Sequence, residues 1–251
     1  MQKLISTVWA ERRAHAARLI ALVRREIGLI LLLAVAAACL WAFAGIADEV
    51  LEQETHGFDM AVLEALRAAG PGDPIGPEWL EDYARDFTSL GGVPILALMA
   101  IVCAAYLTLT RRRATAAYLV GALTGGSLIS AGLKDLFDRT RPDAVFQATP
   151  VYSASFPSGH AFLSAVAYLT LGALLARVQE RRRAKIFVLS VAVFLALLVG
   201  FTRIYLGVHW ATDVLAGWTL GAAWAALCWT GLLLMQRRAG QRPEQEADAA
   251  E

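Results

Sequence analysis

Six stretches of this chain are each apolar over about 20 residues, the length that crosses the hydrocarbon core of a bilayer. That feature leaves few ways to fold, because in lipid each segment must pair its own backbone N–H and C=O groups and so becomes helical. The stretches lie near residues 27–47, 90–110, 114–133, 160–178, 186–206 and 213–235. Apolar residues make up 57% of the 251, more than an ordinary soluble domain carries, and a formal net charge of +1 gives no sign of a nucleic-acid partner. The expected fold is all-α: a polytopic membrane protein with six transmembrane helices over 27–235. A basic segment precedes them (1–26) and a polar tail follows (236–251).

Charge placement orients the bundle. Residues 1–26 hold Lys3, Arg12, Arg13, Arg18, Arg24 and Arg25; Arg111 to Arg113 follow the second span. Arg177, Arg181 to Arg183 and Lys185 follow the fourth, and Arg237, Arg238 and Arg242 follow the sixth. With six spans these clusters share one face, which the positive-inside rule makes cytoplasmic, together with both termini. They account for 17 of the 23 basic residues. Ala42-Phe-Ala44 resembles a signal-peptide cleavage site, but the 26 preceding residues exceed a usual basic leader, so the first span reads as an uncleaved anchor. Cys39, Cys103 and Cys228 fall inside spans without ligand spacing and read as small apolar residues.

The sizeable outer segment, 48–89, is acidic: from Asp48 to Asp86 it carries 11 acidic residues against Arg67 and Arg85. Phe58, Val62, Leu66 and Ala69 recur at helical spacing, which predicts a short amphipathic helix on the outer surface. Pro71, Gly72, Pro74, Gly76 and Pro77 then break it. A passive solvated connector is the simplest reading of this segment. The third span contains Gly125, Gly126, Ser127 and Ser130, so it is expected to pack against neighbours. Gly121-xxx-Gly125 and Gly217-xxx-Gly221 have the spacing of close helix–helix contacts, read here as packing within one bundle. The polar, acidic stretch after Arg242 is expected to lack regular structure.

Three polar islands interrupt the ends of the apolar stretches. They read Lys134-Asp-Leu-Phe-Asp-Arg-Thr-Arg141-Pro142, Pro157-Ser158-Gly159-His160, and Thr202-Arg203-Ile-Tyr-Leu-Gly-Val-His209-Trp-Ala-Thr-Asp213. Charges at membrane depth are costly unless they are buried and used. Arg141 and Arg203 offer planar forks suited to phosphate oxygens, and Lys134 adds a mobile point charge. Arg139 is assigned to snorkelling toward head groups. Ser158 is placed to cap the helix that follows it, and Gly159 lets backbone approach a ligand, so free amides at that helix start can hold phosphate oxygens. His209 and Asp213 stand four residues apart and so share one face of a helix, where the carboxylate fixes the imidazole tautomer and leaves the other ring nitrogen to attack phosphorus. His160 is left for general acid–base work.

The ordered set Lys-x6-Arg-Pro, Pro-Ser-Gly-His and Arg-x5-His-x3-Asp, across residues 134–213, resembles the signature of the type 2 phosphatidic acid phosphatase superfamily, in its membrane branch. Thr202 departs from the serine usual there but keeps a hydroxyl. The resemblance implies His209 as a nucleophile that forms a phosphohistidine, with Asp213 orienting it. It also implies a lipid phosphate or diphosphate as substrate, undecaprenyl diphosphate being the first choice. Phosphatidic acid, phosphatidylglycerophosphate and lipid A 1-phosphate remain open, because the motifs bind what all of them share. The several fixed cations beside the histidines would repel a divalent ion, so no metal or other cofactor is expected. The membrane-embedded site is expected at the exterior face of an inner (plasma) membrane. Transfer of the same phosphoryl group to another lipid, and lipid or anion transport, are the alternative readings. Oligomeric state is not encoded in these motifs.

Overall fold

A computed structural model describes residues 2–68, 70, 72–147 and 153–248, with side chains over 26–68, 70, 72–147 and 153–237. Eight α-helices run in chain order through them: α1 (Gln2–Leu51), α2 (His56–Ala65), α3 (Glu78–Ser89), α4 (Val93–Leu109), α5 (Arg113–Phe137), α6 (Gly159–Val178), α7 (Arg182–Tyr205) and α8 (Ala211–Asp248). A short 3-10 turn, Ala144–Phe146, interrupts the loop before α6. The fold is the all-α, membrane-spanning architecture expected from the sequence. Five helices are long and apolar enough to cross a bilayer, and α3 with α4 adds a sixth span bent by 45°. The bend falls at Leu90-Gly91-Gly92, followed by Val93-Pro94, where glycine and proline stop one helix and start the next. The expected span 90–110 thus corresponds to α4, which starts at Val93, with α3 bent away ahead of it.

The helix α6 is the central post. Within its membrane-crossing window 61% is buried, against 11% for α1, and it packs on α4, α5, α7 and α8. Phe162, Val166 and Leu119 are fully enclosed there, with Leu123, Val199 and Leu220. The predicted small-residue contacts divide. At Gly217 an added Cβ would stand 2.8 Å from the Ser158 carbonyl and 2.9 Å from Ala161 Cβ; at Gly221 it would stand 2.7 Å from Ala165 Cβ. This pair seats α8 directly on α6. Gly125 meets the Trp224 ring, whereas Gly121 has nothing within 4 Å, so the first spacing pair contributes one contact. Of the third-span polar residues, Gly126 and Ser130 are buried, and Ser127 bonds back to the Leu123 carbonyl at 3.0 Å.

Several expectations need correction. The acidic outer segment is pinned to the bundle at a few points: Asp59 is buried and Glu81 half-buried, while its other acidic residues are exposed as a solvated connector would have them. Tyr205, at the end of α7, donates its hydroxyl to Ile75 O at 2.8 Å, and Arg67 donates to Tyr205 O at 3.0 Å and Phe146 O at 3.1 Å. The helix predicted there exists as α2: Val62 and Leu66 pack against Ala161, Ile204, Ala211 and Val214 as the spacing predicts, but Asp59 and Leu63 are the fully buried residues and Phe58 is exposed. The reason is polar: Asp59 has fixed partners in the bundle, described below. Ala69 and Pro71 lie outside the described residues, as do the side chains of residues 1–25, Arg238 and Arg242. The tail expected to be irregular continues α8 to Asp248, consistent with its helix-favouring Glu, Gln and Ala residues.

Because α8 approaches α6 to backbone contact at Gly217 and Gly221, alanine at either position overpacks the seam. Each substitution should lower the melting temperature of detergent-purified protein, at a cost of about 1–3 kcal/mol. Gly121→Ala, in open space, should leave it unchanged.

Candidate active site

All three polar islands come together at one end of the bundle: the last turn of α5, the start of α6, the last turn of α7 and the start of α8. The α4–α5 and α6–α7 connections, with Arg111 to Arg113 and Arg181 to Arg183, belong to the opposite end. His209 and Asp213 are both buried. His209 lies before α8, not on it. Asp213, third residue of that helix, reaches back over the helix start, as in a capping box, and accepts from the Trp210 amide at 2.9 Å. The same oxygen, Oδ2, stands 3.3 Å from His209 Nδ1 and accepts from the Ser155 hydroxyl. Shared helix spacing was the wrong reason for a correct pairing.

The other ring nitrogen, Nε2, lies 3.1 Å from Arg141 Nη1. A guanidinium has only donors, so Nε2 accepts and carries no proton, and the hydrogen sits on Nδ1 facing Asp213. Burial pushes the imidazole well below its ordinary pKa, against the raising influence of Asp213, and so holds the ring neutral. A neutral ring with its proton on Nδ1 presents a lone pair on Nε2.

Cations surround this pair unequally. Arg203 is 8% exposed and donates from Nη1 to Thr88 Oγ1 at 3.1 Å, while its buried Nε has no partner among the described residues. Arg141 is more committed than its fork suggested. It donates to Ser153 O at 2.7 Å, to Ala154 O at 3.2 Å and to Val208 O, and so ties the loop before α6 to the α7–α8 turn. Lys134 Nζ reaches Ser153 Oγ at 3.3 Å and lies about a van der Waals contact from where a Gly159 Cβ would be. His160 is near enough to the cations of Arg203, Lys134 and Arg141 to feel each charge, and among the described residues no hydrogen bond holds its ring. Ser158 occupies the N-cap of α6, but its hydroxyl makes no capping bond and is buried with no partner among the described residues. Thr202 uses its hydroxyl on Val199 O at 2.7 Å, within its own helix.

Sequence reasoning missed several members of this network. Arg139 does not snorkel: its side chain is 15% exposed and its two amino groups divide between carboxylates. Nη1 meets Asp213 Oδ1 at 2.6 Å, and Nη2 meets Asp59 Oδ2 at 2.7 Å. Thr55, Thr212, Ser155 and Thr88 supply hydroxyls around the same centre. Phe156 anchors the loop that carries Ser155 and Ser158, its ring set between Phe43 (6.0 Å between centroids) and Phe137 (4.8 Å). The signal available for Arg139 was its place inside a charged island beside an otherwise unbalanced Asp213. Asp59 had none beyond its position within an apolar helical stretch.

An apolar groove of about 430 Å³ opens beside this centre between α4 and α5, lined by Val93, Leu96, Ile101, Val120 and Leu163 among others. Two of its lining residues are close to the islands in sequence: Val93 follows Gly92, whose added Cβ would stand 3.9 Å from His160 Nε2, and Leu163 is one turn after His160.

The three islands thus bring together buried donors without a partner among the described residues and an imidazole backed by a carboxylate, with an apolar groove lined by Leu163 one turn beyond His160. The profile of the PAP2 superfamily matches residues 115–234. The chain is 31% identical over 144 residues to phosphatidylglycerophosphatase B of Bacillus subtilis, across 57% of this chain and 70% of that protein. It is 34% identical over 86 residues to undecaprenyl-diphosphatase of Sulfolobus acidocaldarius, across 34% of this chain and 37% of that one. The crystal structure of a transmembrane PAP2-type phosphatidylglycerolphosphate phosphatase from Bacillus subtilis aligns with a TM-score of 0.70 at 27% identity, over 77% of this chain and 93% of that one. The chain belongs to the PAP2 superfamily and is a membrane lipid phosphatase of that group.

The unpartnered Ser158 hydroxyl separates ligand binding from folding. Ser158→Ala removes a buried donor that stabilises nothing in the protein, so the melting temperature should hold or rise. Binding of vanadate, a mimic of five-coordinate phosphorus, should weaken about tenfold, the worth of one bond to a charged oxygen.

Proposed function

We propose that this protein hydrolyses the terminal phosphate of a lipid phosphate or diphosphate through a phosphohistidine at His209, without a metal ion. The observation that carries the reading is the His209 ring, its Nδ1 backed by Asp213 and its Nε2 unprotonated. The phosphate enters among Lys134, Arg203, Ser158 and the amides at the start of α6, and the lipid tail lies in the groove between α4 and α5. Arg203 Nε and the Ser158 hydroxyl, both buried and unpartnered, gain acceptors from the phosphate. The Arg141 N–H that meets Nε2 passes to a phosphate oxygen, which frees the lone pair. Nε2 then attacks phosphorus in line; the N–P bond forms as the P–O bond to the lipid breaks. His160 gives its proton to the departing lipid oxygen.

Asp213 stabilises the imidazolium that results. In the second half His160 takes a proton from water, the hydroxide oxygen bonds to phosphorus, the N–P bond breaks, and inorganic phosphate leaves. The fixed cations neutralise the equatorial oxygens, the task a divalent metal performs elsewhere. Placement of the site at the external face, with both termini cytoplasmic, follows from the basic clusters at the other end.

The family resemblance put undecaprenyl diphosphate first, and a relative with that activity in its name matches over 86 residues. The relative matched over 144 residues is named for phosphatidylglycerophosphate, which moves that lipid to first place and undecaprenyl diphosphate to second.

The test is phosphate release by detergent-purified protein in excess EDTA, with phosphatidylglycerophosphate and undecaprenyl diphosphate as parallel substrates. Wild type should release phosphate from at least one, His209→Ala from neither. Arg203→Lys should lose about 100-fold in kcat/KM, because a point charge cannot replace a fork. Activity that vanishes with EDTA and returns with a divalent ion would contradict metal independence.

A further inference from the structure

We propose that Asp59, in the segment between the first two spans, is a positioning residue for the His209–Asp213 pair and acts through Arg139. The inference rests on the phosphohistidine reading above and extends it to a residue outside the three islands. Asp59 is 1% exposed, although it belongs to an acidic segment that the sequence would leave in water. Its carboxylate is fully engaged. Oδ1 accepts from the Thr212 amide at 2.9 Å, at the open first turn of α8, and Oδ2 accepts from the Thr212 hydroxyl at 2.7 Å and from Arg139 Nη2 at 2.7 Å. Arg139 is also steadied by Thr55 Oγ1 at 2.8 Å and sits over the Trp210 ring at 5.9 Å.

The arrangement fixes both the geometry and the charge behind the nucleophile. One guanidinium serves two buried carboxylates, so the trio Asp59, Arg139 and Asp213 retains one negative charge. A buried one-to-one Arg139–Asp213 pair would retain none. The retained charge lies behind His209 Nδ1, where imidazolium charge develops when Nε2 bonds to phosphorus. The grip of Asp59 on Thr212 also sets the first turn of α8, which carries Asp213. Without Asp59, the Nη2 arm of Arg139 keeps only the Thr55 hydroxyl, a neutral partner, and can turn toward the remaining carboxylate of Asp213. That would draw the carboxylate away from Nδ1 and cancel its charge. Asp59 touches no reacting atom, so its effect belongs to the chemical step and not to substrate capture.

The experiment is steady-state kinetics of full-length protein on phosphatidylglycerophosphate, or on undecaprenyl diphosphate if that lipid alone is turned over. It compares wild type, Asp59→Asn, Asp213→Asn and the double variant, with melting temperatures alongside. Asp59→Asn should lower kcat about tenfold or more, the scale on which a partner behind a ligand or catalytic imidazole acts, with KM within about twofold. On the Asp213→Asn background the same change should have little further effect on kcat, because its route is already cut. Unchanged kcat in Asp59→Asn overturns the proposal, as do losses that multiply fully in the double variant. If Asp59→Asn does not fold, Thr55→Val takes its place. It removes only the hydroxyl that steadies Arg139, and kcat should fall a few-fold with KM unmoved; unaltered kcat overturns the proposal there. His209→Ala runs in parallel: turnover surviving its loss would defeat the phosphohistidine reading itself, a failure distinct from any outcome at Asp59.

Discussion

A single guanidinium joins the outer segment to the catalytic end of this bundle. Arg139 stands between Asp59 and Asp213, and through them the start of α2, the loop before α6 and the first turn of α8 hold one arrangement. Buried ion pairs are poor sources of net stability, since desolvating each charge costs several kcal/mol. They do impose a unique geometry, because any displacement leaves a charge unpaired in a medium that cannot solvate it. Here the constraint falls on the carboxylate that orients His209. The remaining supports are short and local: Trp210 N–H and the Ser155 hydroxyl on Asp213, and Arg141 across the carbonyls of Ser153, Ala154 and Val208.

That rigidity lies on one side of the site. On the other, Ser158, Arg203 Nε and the ring of His160 have donors or acceptors with no partner among the described residues, the pattern of groups prepared for a ligand. The division suits phosphoryl transfer, which asks little of the protein beyond positioning and charge neutralisation. It also suits a lipid substrate. The polar islands gather at helix ends, and the groove between α4 and α5 is lined by apolar side chains such as Leu96, Ile101 and Val120. Belonging to the PAP2 superfamily and matching a transmembrane phosphatase fold at a TM-score of 0.70 place this chain among the membrane lipid phosphatases.

The sequence made the spans and the islands legible for the same reason: charge within long apolar stretches is rare, so its exceptions stand out. Lys134, Arg141, Ser158, Gly159, His160, Arg203, His209 and Asp213 are brought to one end of the bundle, although Arg141 is more a brace than a free clamp. Less legible were contacts made across long sequence separations. Nothing local distinguishes Asp59 from its solvated acidic neighbours, and its burial depends on Arg139 and Thr212, 80 and 153 residues away. Arg139 itself sat in full view but was matched to lipid head groups, because an arginine near a bilayer has an easy surface explanation. The broken second span shows a further limit. Hydropathy registered 90–110 as one segment, whereas Gly91, Gly92 and Pro94 divide the chain into α3 and α4 with a 45° bend. That bend delivers Thr88 to Arg203 and Gly92 to His160.

The central claim is covalent chemistry at His209. The most direct measurement is rapid acid-free quenching of wild-type protein during turnover of a lipid carrying labelled terminal phosphate, followed by mapping of the label. The account predicts a label on His209 that is stable in base and labile in acid, as a phosphoramidate is. It should appear before free phosphate and disappear as free phosphate accumulates. Full turnover with no labelled protein at any time, or label on a serine or on His160 instead, would contradict it.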